Sequence, residues 1–291
     1  MKKSYFASKK SELPLLFIYI CTLKRQKSEF LNIDMSLNPS ERDTKHTNIE
    51  LENMRIALIG YGKMGKAIEK IAIERGHSIV SVIDIDNQGD FHSEAFRSAD
   101  VAIEFTTPSA AYDNYLKCFA ANVPVVAGTT GWLDHMEEIK NSCATEDKTF
   151  FYAPNYSLGV NIFFALNAQL AKLMNHFAQY DVSMSEIHHI HKQDAPSGTA
   201  IALACDIIRS VDRKNQWTTE KMNMPADLYI ESIREGETPG IHNVVYESEV
   251  DRIQISHTSK SRTGLALGTV IAAEFTVGKK GFLEMKDLLP F

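Results

Sequence analysis

The sequence predicts an α/β protein: a Rossmann-like, doubly wound parallel sheet joined to an α+β domain with a mixed or antiparallel sheet. Three observations carry this. An apolar run at residues 54–59 leads directly into Gly60-Tyr-Gly-Lys-Met-Gly65 and then into a helical repeat. Strand-like and helix-like segments then alternate for about a hundred residues, as parallel strands joined by helical crossovers do. Later, strand-like segments at residues 228–234, 242–247 and 252–257 follow one another through short turns, as antiparallel or mixed pairing requires.

Composition sets the outer bounds. The chain has 291 residues, 44% apolar and 23% charged, ordinary for a globular protein of two domains. A net charge of -6 argues against a nucleic-acid-binding surface, although a local cationic pocket remains compatible with it. Cys21, Cys118, Cys143 and Cys205 are widely spaced and form no C-x-x-C pair, which fits a reducing cytosol rather than a disulfide framework or zinc knuckle.

Residues 1–53 form a leader. Lys2, Lys3, Lys9 and Lys10 precede an apolar run at residues 13–23, as in a signal peptide. No small-residue cleavage site follows, and the run is too short to span a bilayer. The leader is therefore expected to be disordered, or an over-extended reading frame ahead of Met35 or Met54.

Within the first domain, placed at residues 54–154, the glycine motif gains meaning from its setting. Gly60 permits a tight turn, Gly62 lets backbone approach a pyrophosphate, and Gly65 allows the helix to pack close to the sheet. Ala67, Ile68, Ile71, Ala72 and Ile73 recur at helical spacing up to Gly76. A second strand at residues 78–83 ends on Asp84, whose carboxylate can accept hydrogen bonds from ribose hydroxyls. This order favours a dinucleotide over a purely structural turn. Further strands are expected at residues 101–105, 123–127 and 149–153, with helices between them. Their ends, Thr106-Thr107, Gly128-Thr129-Thr130 and Pro154-Asn155-Tyr156, lie where such sheets bind ligands. Any one of them alone is equally explained as turn chemistry.

The second domain is placed at residues 155–261, for substrate binding and oligomerisation. A helix starting near Gly159 carries Val160, Phe163, Phe164, Leu166, Leu170, Leu173, Met174 and Phe177, a stripe read as core or subunit interface. Residues 213–225 read as a loop. Residues 262–278 read as a helix, within a segment 262–291 that returns to the first domain.

The densest chemistry lies in Glu186-Ile-His-His-Ile-His-Lys-Gln-Asp-Ala-Pro-Ser-Gly-Thr-Ala200. Ile187 and Ile190 read as the end of a buried strand. Pro196-Ser-Gly-Thr reads as a turn opening a helix, with Ser197 as N-cap and the first N–H groups free for an anion. Zinc on His188, His189 and His191 is disfavoured, because adjacent strand residues face opposite ways and no H-E-x-x-H helix or cysteine set accompanies them. No metal is expected. Histidine can donate a proton near neutrality, and Lys192 can place positive charge where negative charge develops. Beside a dinucleotide domain, this points to a reductase of a small acid. The alternatives are a dinucleotide-binding sensor without turnover, against which the intact proton chemistry counts, and another Rossmann-fold reductase of a small acid.

This stretch resembles the signature of the 4-hydroxy-tetrahydrodipicolinate (dihydrodipicolinate) reductases of bacterial and plant lysine and diaminopimelate biosynthesis. Gly60-Tyr-Gly-Lys-Met-Gly65, Gly128-Thr-Thr-Gly131 and Ala153-Pro-Asn-Tyr-Ser-Leu-Gly-Val-Asn161 resemble that family in order and spacing. The resemblance runs from about Met54 onward and implies reduction of a cyclic dicarboxylate with loss of water. It implies His188 as general acid/base, Lys192 as proton donor, and His189, Gly198 and Thr199 on a substrate carboxylate. It also implies nicotinamide-cofactor binding by Gly60, Tyr61, Gly62, Lys63, Met64, Gly65, Asp84, Gly128, Thr129, Thr130, Ala153, Pro154, Asn155 and Tyr156. A cytoplasmic homotetramer built through the second sheet, without membrane or nucleic-acid partners, would follow. His191 has no task in this scheme and is expected to be structural. Some members carry a basic residue after the ribose-binding acid; here Ile85 and Asp86 follow, which disfavours a 2′-phosphate. NADH is expected to be preferred or both cofactors used, with Lys63 offsetting part of the repulsion.

Overall fold

The computed structural model describes residues 53–221, 224–261 and 263–289. The expectation for the leader falls outside them, except at Asn53. The first part alternates as predicted: β1 (Arg55–Ile59), α1 (Lys63–Glu74), β2 (Ser78–Ile83), α2 (Glu94–Arg97), β3 (Val101–Glu104), α3 (Pro108–Ala120), β4 (Val125–Ala127), α4 (Met136–Thr145) and β5 (Thr149–Tyr152). Then follow α5 (Leu158–Met174), β6 (Asp181–His188), α6 (Gly198–Ser210), β7 (Gln216–Thr218), β8 (Asp227–Arg234), β9 (Ile241–Glu247) and β10 (Arg252–Thr258). The last elements are α7 (Thr263–Thr276), β11 (Gly281–Leu283) and α8 (Met285–Leu288).

The first sheet has the order β11-β5-β4-β3-β1-β2, with every pairing parallel. Helices cover both faces, so every residue of β3, β4 and β5 is buried and their sequences run almost continuously apolar. On one face Phe150 meets Tyr115 and Trp132 edge to face, at ring separations of 4.9 and 5.4 Å. On the other, Ile68, Ile71 and Ala72 of α1 join Ala266, Val270 and Ala273 of α7 in one cluster.

The second sheet has the order β10-β9-β6-β8-β7 and is mixed: β6 pairs antiparallel with β9 and parallel with β8. Alternation along β6 buries Val182, Met184, Glu186 and His188 on one face. Phe163 and Ala171 of α5 and Leu203 and Ile207 of α6 pack on that face. The α5 stripe divides: Val160, Phe163 and Met174 are buried, whereas Leu166 (54%) and Leu173 (62%) stay exposed.

The structure departs from the sequence reading in several places. Residues 216–218, read as loop, form β7 beside β8. Gly281, Phe282 and Leu283 form the edge strand β11 on β5. Both strands are three residues long, too short for a two-residue period to register. A 3₁₀ segment and α2 follow Asp84, where no element is expected. Ile190 is 61% exposed rather than buried, because β6 ends at His188 and the chain turns away, with Lys192 N–H donating to His189 O (3.1 Å).

Helix α7 packs against α1 and against β3, β4 and β5. The contact is close: a Cβ on Gly268 would lie 1.7 Å from Tyr156 O. Gly268→Ala must therefore push the helix off the loop, at a cost of about 1–3 kcal/mol or more. Thermal unfolding should show a Tm several degrees lower; an unchanged Tm would mean that the helix shifts freely.

Candidate active site

Two cavities lie along the ends of the strands. The larger, about 520 Å³, is lined by Gly60, Tyr61, Gly62, Asp84, Thr106 and Asp113 among others. It opens between the ends of β1 and β3, where crossovers leave in opposite directions from the central strand. Gly60 has φ +89°, and a Cβ there would stand 2.1 Å from Phe105 O; one on Gly65 would stand 2.3 Å from Gly60 O. Only glycine permits this turn. Gly62 is the N-cap of α1 and supplies no side-chain hydrogen bond, so the first N–H groups of the helix remain available to an anion. Asp84 closes the cavity's other side, its Oδ2 accepting from Tyr61 N–H at 3.2 Å. A glycine cradle, an uncapped helix start and a carboxylate at the end of β2 together fit a dinucleotide.

Behind this cavity sits a group without a role in the sequence reading. Glu104, fully buried at the end of β3, accepts from Thr129 Oγ1 (3.0 Å), Tyr115 OH (3.2 Å), Thr106 N–H (3.1 Å) and the Thr106 hydroxyl. Burial pushes its carboxyl up, and these donors only partly offset the shift. Glu104 thereby ties the loop after β3 to the loop after β4, which carries Gly128, Thr129 and Thr130. Thr129 is buried and Thr130 exposed. The remaining cofactor candidates fall in different settings. Lys63 is exposed, Met64 packs against the core, and Ala153 is buried. Pro154 is exposed, and Asn155 Oδ1 accepts from Ser157 N–H at 2.9 Å. The Tyr156 side chain is core, its hydroxyl donating to Ala127 O at 2.7 Å.

The second cavity, about 150 Å³, is lined by Asn155, Ser157, His188, Thr199, His242 and His257 among others. Its floor is the inward face of β6. Glu186, two residues before His188 and fully buried, accepts from Arg234 Nη2 (2.9 Å) and Ser197 N–H (3.2 Å) on Oε1. Its Oε2 lies 2.6 Å from His188 Nδ1. Burial pushes the Glu186 carboxyl up, but Arg234, Ser197, Ser232 and His188 together hold it below the usual range. Burial, aided by Lys192 and Arg234, lowers the His188 pKa against the opposing pull of Glu186. His242 stands 5.1 Å from His188, ring to ring, with Nε2 3.1 Å from Ser197 Oγ. Burial, then the His188 charge, push His242 down to about 4. Burial lowers His257 as well.

Of the residues assigned to substrate and proton transfer, His188 and Thr199 line this cavity; Lys192, His189 and Gly198 do not. Lys192 Nζ donates to both carboxylate oxygens of Asp194, at 2.7 and 2.8 Å. That ion pair holds Asp194 below the usual carboxylate range. His189 is half-buried and Gly198 is exposed at the first turn of α6. Ser197 caps this helix as expected, Oγ accepting from Ala200 N–H at 3.2 Å. His191 is exposed, with Nε2 3.2 Å from Glu237. Sequence reasoning missed Glu186, Arg234, His242 and His257. The two-residue spacing of Glu186 and His188 on a strand was a usable signal; the other three come from β8, β9 and β10 and have no local pattern.

Glu186, His188 and His242 also present ligand-type atoms within 4.8 Å of one another, the one such acid-and-histidine group among the described residues. Arg234 already neutralises the carboxylate, and an N···O spacing of 2.6 Å suits a shared proton better than two ligands on one ion. A carboxylate and an imidazole so placed can share a proton.

The family model "Dihydrodipicolinate reductase, N-terminus" matches residues 54–156, and "Dihydrodipicolinate reductase, C-terminus" matches residues 159–289. The 4-hydroxy-tetrahydrodipicolinate reductase of Christiangramia forsetii is 46% identical over 236 residues, covering 81% of this chain and 98% of that protein. That of Archaeoglobus fulgidus is 34% identical, covering 81% of this chain and 100% of that protein. A dipicolinate-bound dihydrodipicolinate reductase from Paenisporosarcina sp. TG-14 has the same fold, with a TM-score of 0.65 at 24% identity, covering 81% of this chain and 100% of that one. With both family models matched in order across the described fold, the chain belongs to the dihydrodipicolinate reductase family.

Proposed function

We propose that this chain is an NAD(P)H-dependent oxidoreductase that reduces 4-hydroxy-tetrahydrodipicolinate to tetrahydrodipicolinate, with loss of water, in lysine and diaminopimelate biosynthesis. The observation that carries the reading is the second cavity, where His188 meets the anion-cradling start of α6 at Thr199. The glycine turn and the N–H groups opening α1 would hold the cofactor's pyrophosphate, and Asp84 its ribose. Gly128, Thr129, Thr130 and residues 153–156 would border the nicotinamide. Bound there, the cofactor supplies a hydride.

The chain's own residues do the rest. His189, Gly198 and Thr199 grip a substrate carboxylate, using the first N–H groups of α6. Lys192, paired with Asp194, delivers a proton as electron density builds on the reduced ring. His188 exchanges a proton with the substrate from the cavity floor. Burial favours uncharged His188 and His242 in the free protein, and an arriving dicarboxylate shifts both toward their charged forms.

Ile85, 83% exposed, and Asp86 follow the ribose-binding acid in place of a basic residue, and Asp84 and Asp86 repel a 2′-phosphate, an effect that Lys117, which lines the same cavity with Nζ 2.9 Å from Gln88 Oε1, offsets in part. NADH is preferred or both cofactors are used. The exposed Leu166 and Leu173 of α5 and the outer face of the second sheet leave surface for a homotetramer in the cytoplasm. Among the described residues no helix is long and apolar enough to cross a membrane.

An NADH-oxidation assay with enzymatically generated substrate tests the activity; absence of turnover would favour a sensor. In that assay kcat/KM for NADH should equal or exceed that for NADPH, and a tenfold preference for NADPH would contradict the Asp84–Asp86 argument. Lys192→Ala should lower kcat by at least about a hundredfold with cofactor affinity retained; near-normal turnover removes Lys192 from proton delivery. His188→Gln should lower kcat comparably and alter the pH–rate profile, whereas an unchanged profile counts against proton transfer by His188.

A further inference from the structure

We propose that Glu186 is a positioning residue that fixes the tautomer of His188 and stabilises its protonated ring, acting through the histidine and never on substrate. This rests on the assignment of proton transfer to His188. Glu186 is fully buried at the base of the second cavity. Its Oε1 is engaged by Arg234 Nη2 and Ser197 N–H, whereas Oε2 accepts no hydrogen bond from any other group and lies 2.6 Å from the His188 ring nitrogen as an ion-pair contact. His188 Nδ1 is equally buried and equally without another partner. Two such atoms at that distance are satisfied only by a proton between them.

The other nitrogen faces elsewhere. A Cβ placed on Gly240, a residue lining the cavity, would stand 3.0 Å from His188 Nε2. With Nδ1 committed to the carboxylate, the neutral ring is the Nδ1–H tautomer and Nε2 is the nitrogen left for substrate. When Nε2 takes up a proton, the imidazolium keeps its Nδ1–H on the carboxylate. When Nε2 gives that proton up, the ring returns to the same tautomer. Arg234 keeps Glu186 ionised through both states.

The test combines variants with a measurement on the unaltered protein. Glu186→Gln should lower kcat at least about tenfold, leave the KM for NADH unchanged, and move the histidine limb of the pH–rate profile to lower pH. Glu186→Gln/His188→Gln should be no slower than His188→Gln, because the first residue acts only through the second. Wild-type kcat and profile in Glu186→Gln, with His188→Gln impaired, would overturn the positioning role and leave the His188 assignment standing. Wild-type activity in His188→Gln would overturn that assignment itself. Additive losses in the double variant would also overturn the proposal. Should Glu186→Gln fail to fold, ¹⁵N-histidine NMR of the wild-type protein still decides, with the His188 signal assigned by its loss in His188→Gln. The Nδ1–H tautomer is expected, and Nε2–H would refute the idea.

Discussion

A carboxylate with no access to water survives only if each of its oxygens is answered, and the second half of this fold is arranged around one that is. Glu186 draws Arg234 from the end of β8, Ser197 from the turn into α6 and His188 from the end of β6 to a single point. Removing any partner would leave charge or donors stranded in a region of low polarity, which is far costlier than losing an exposed ion pair. Three chain segments are thus held in register by one buried group. Two of those segments reach the second cavity, through His188 and Thr199.

The first sheet solves a related problem differently. Glu104 is as deeply buried, but its partners are two threonines and a tyrosine rather than a guanidinium. Neutral donors do not offset desolvation as a cation does, so its carboxyl is raised where that of Glu186 is lowered. The two acids also differ in what they organise. Glu104 joins two loops beside the larger cavity, while Glu186 joins a titratable ring to a helix start. In each half, a strand-end carboxylate turns secondary structure into a defined local geometry.

Much of this was legible in the sequence. The glycine turn, the strands around it and Asp84 could be found because their meaning is local: each needs only its neighbours along the chain. The same holds for Ser197, whose capping role follows from the turn in which it sits. Glu104 read as one more strand residue, because nothing in 101–105 announces that Thr129 and Tyr115 converge on it. Arg234 pairs with an acid 48 positions away. His242 and His257 reach the cavity only through antiparallel pairing of β9 with its neighbours. Long-range pairing, rather than weak local preference, separates the residues that were found from those that were not. The same cause hid β7 and β11, whose existence depends on β8 and β5 offering an edge.

Helix α7 and strand β11 give the fold an order of assembly. By the time β5 has left the ribosome, five strands of the first sheet exist, but the apolar surface that Ala266, Val270 and Ala273 will cover is still bare. It stays bare while the whole second sheet is synthesised, because its cover is encoded after β10. The nascent chain therefore carries an exposed greasy face, with Val126 and Phe151 among its residues, while residues 153–262 are made. That interval is when a chaperone has something to hold.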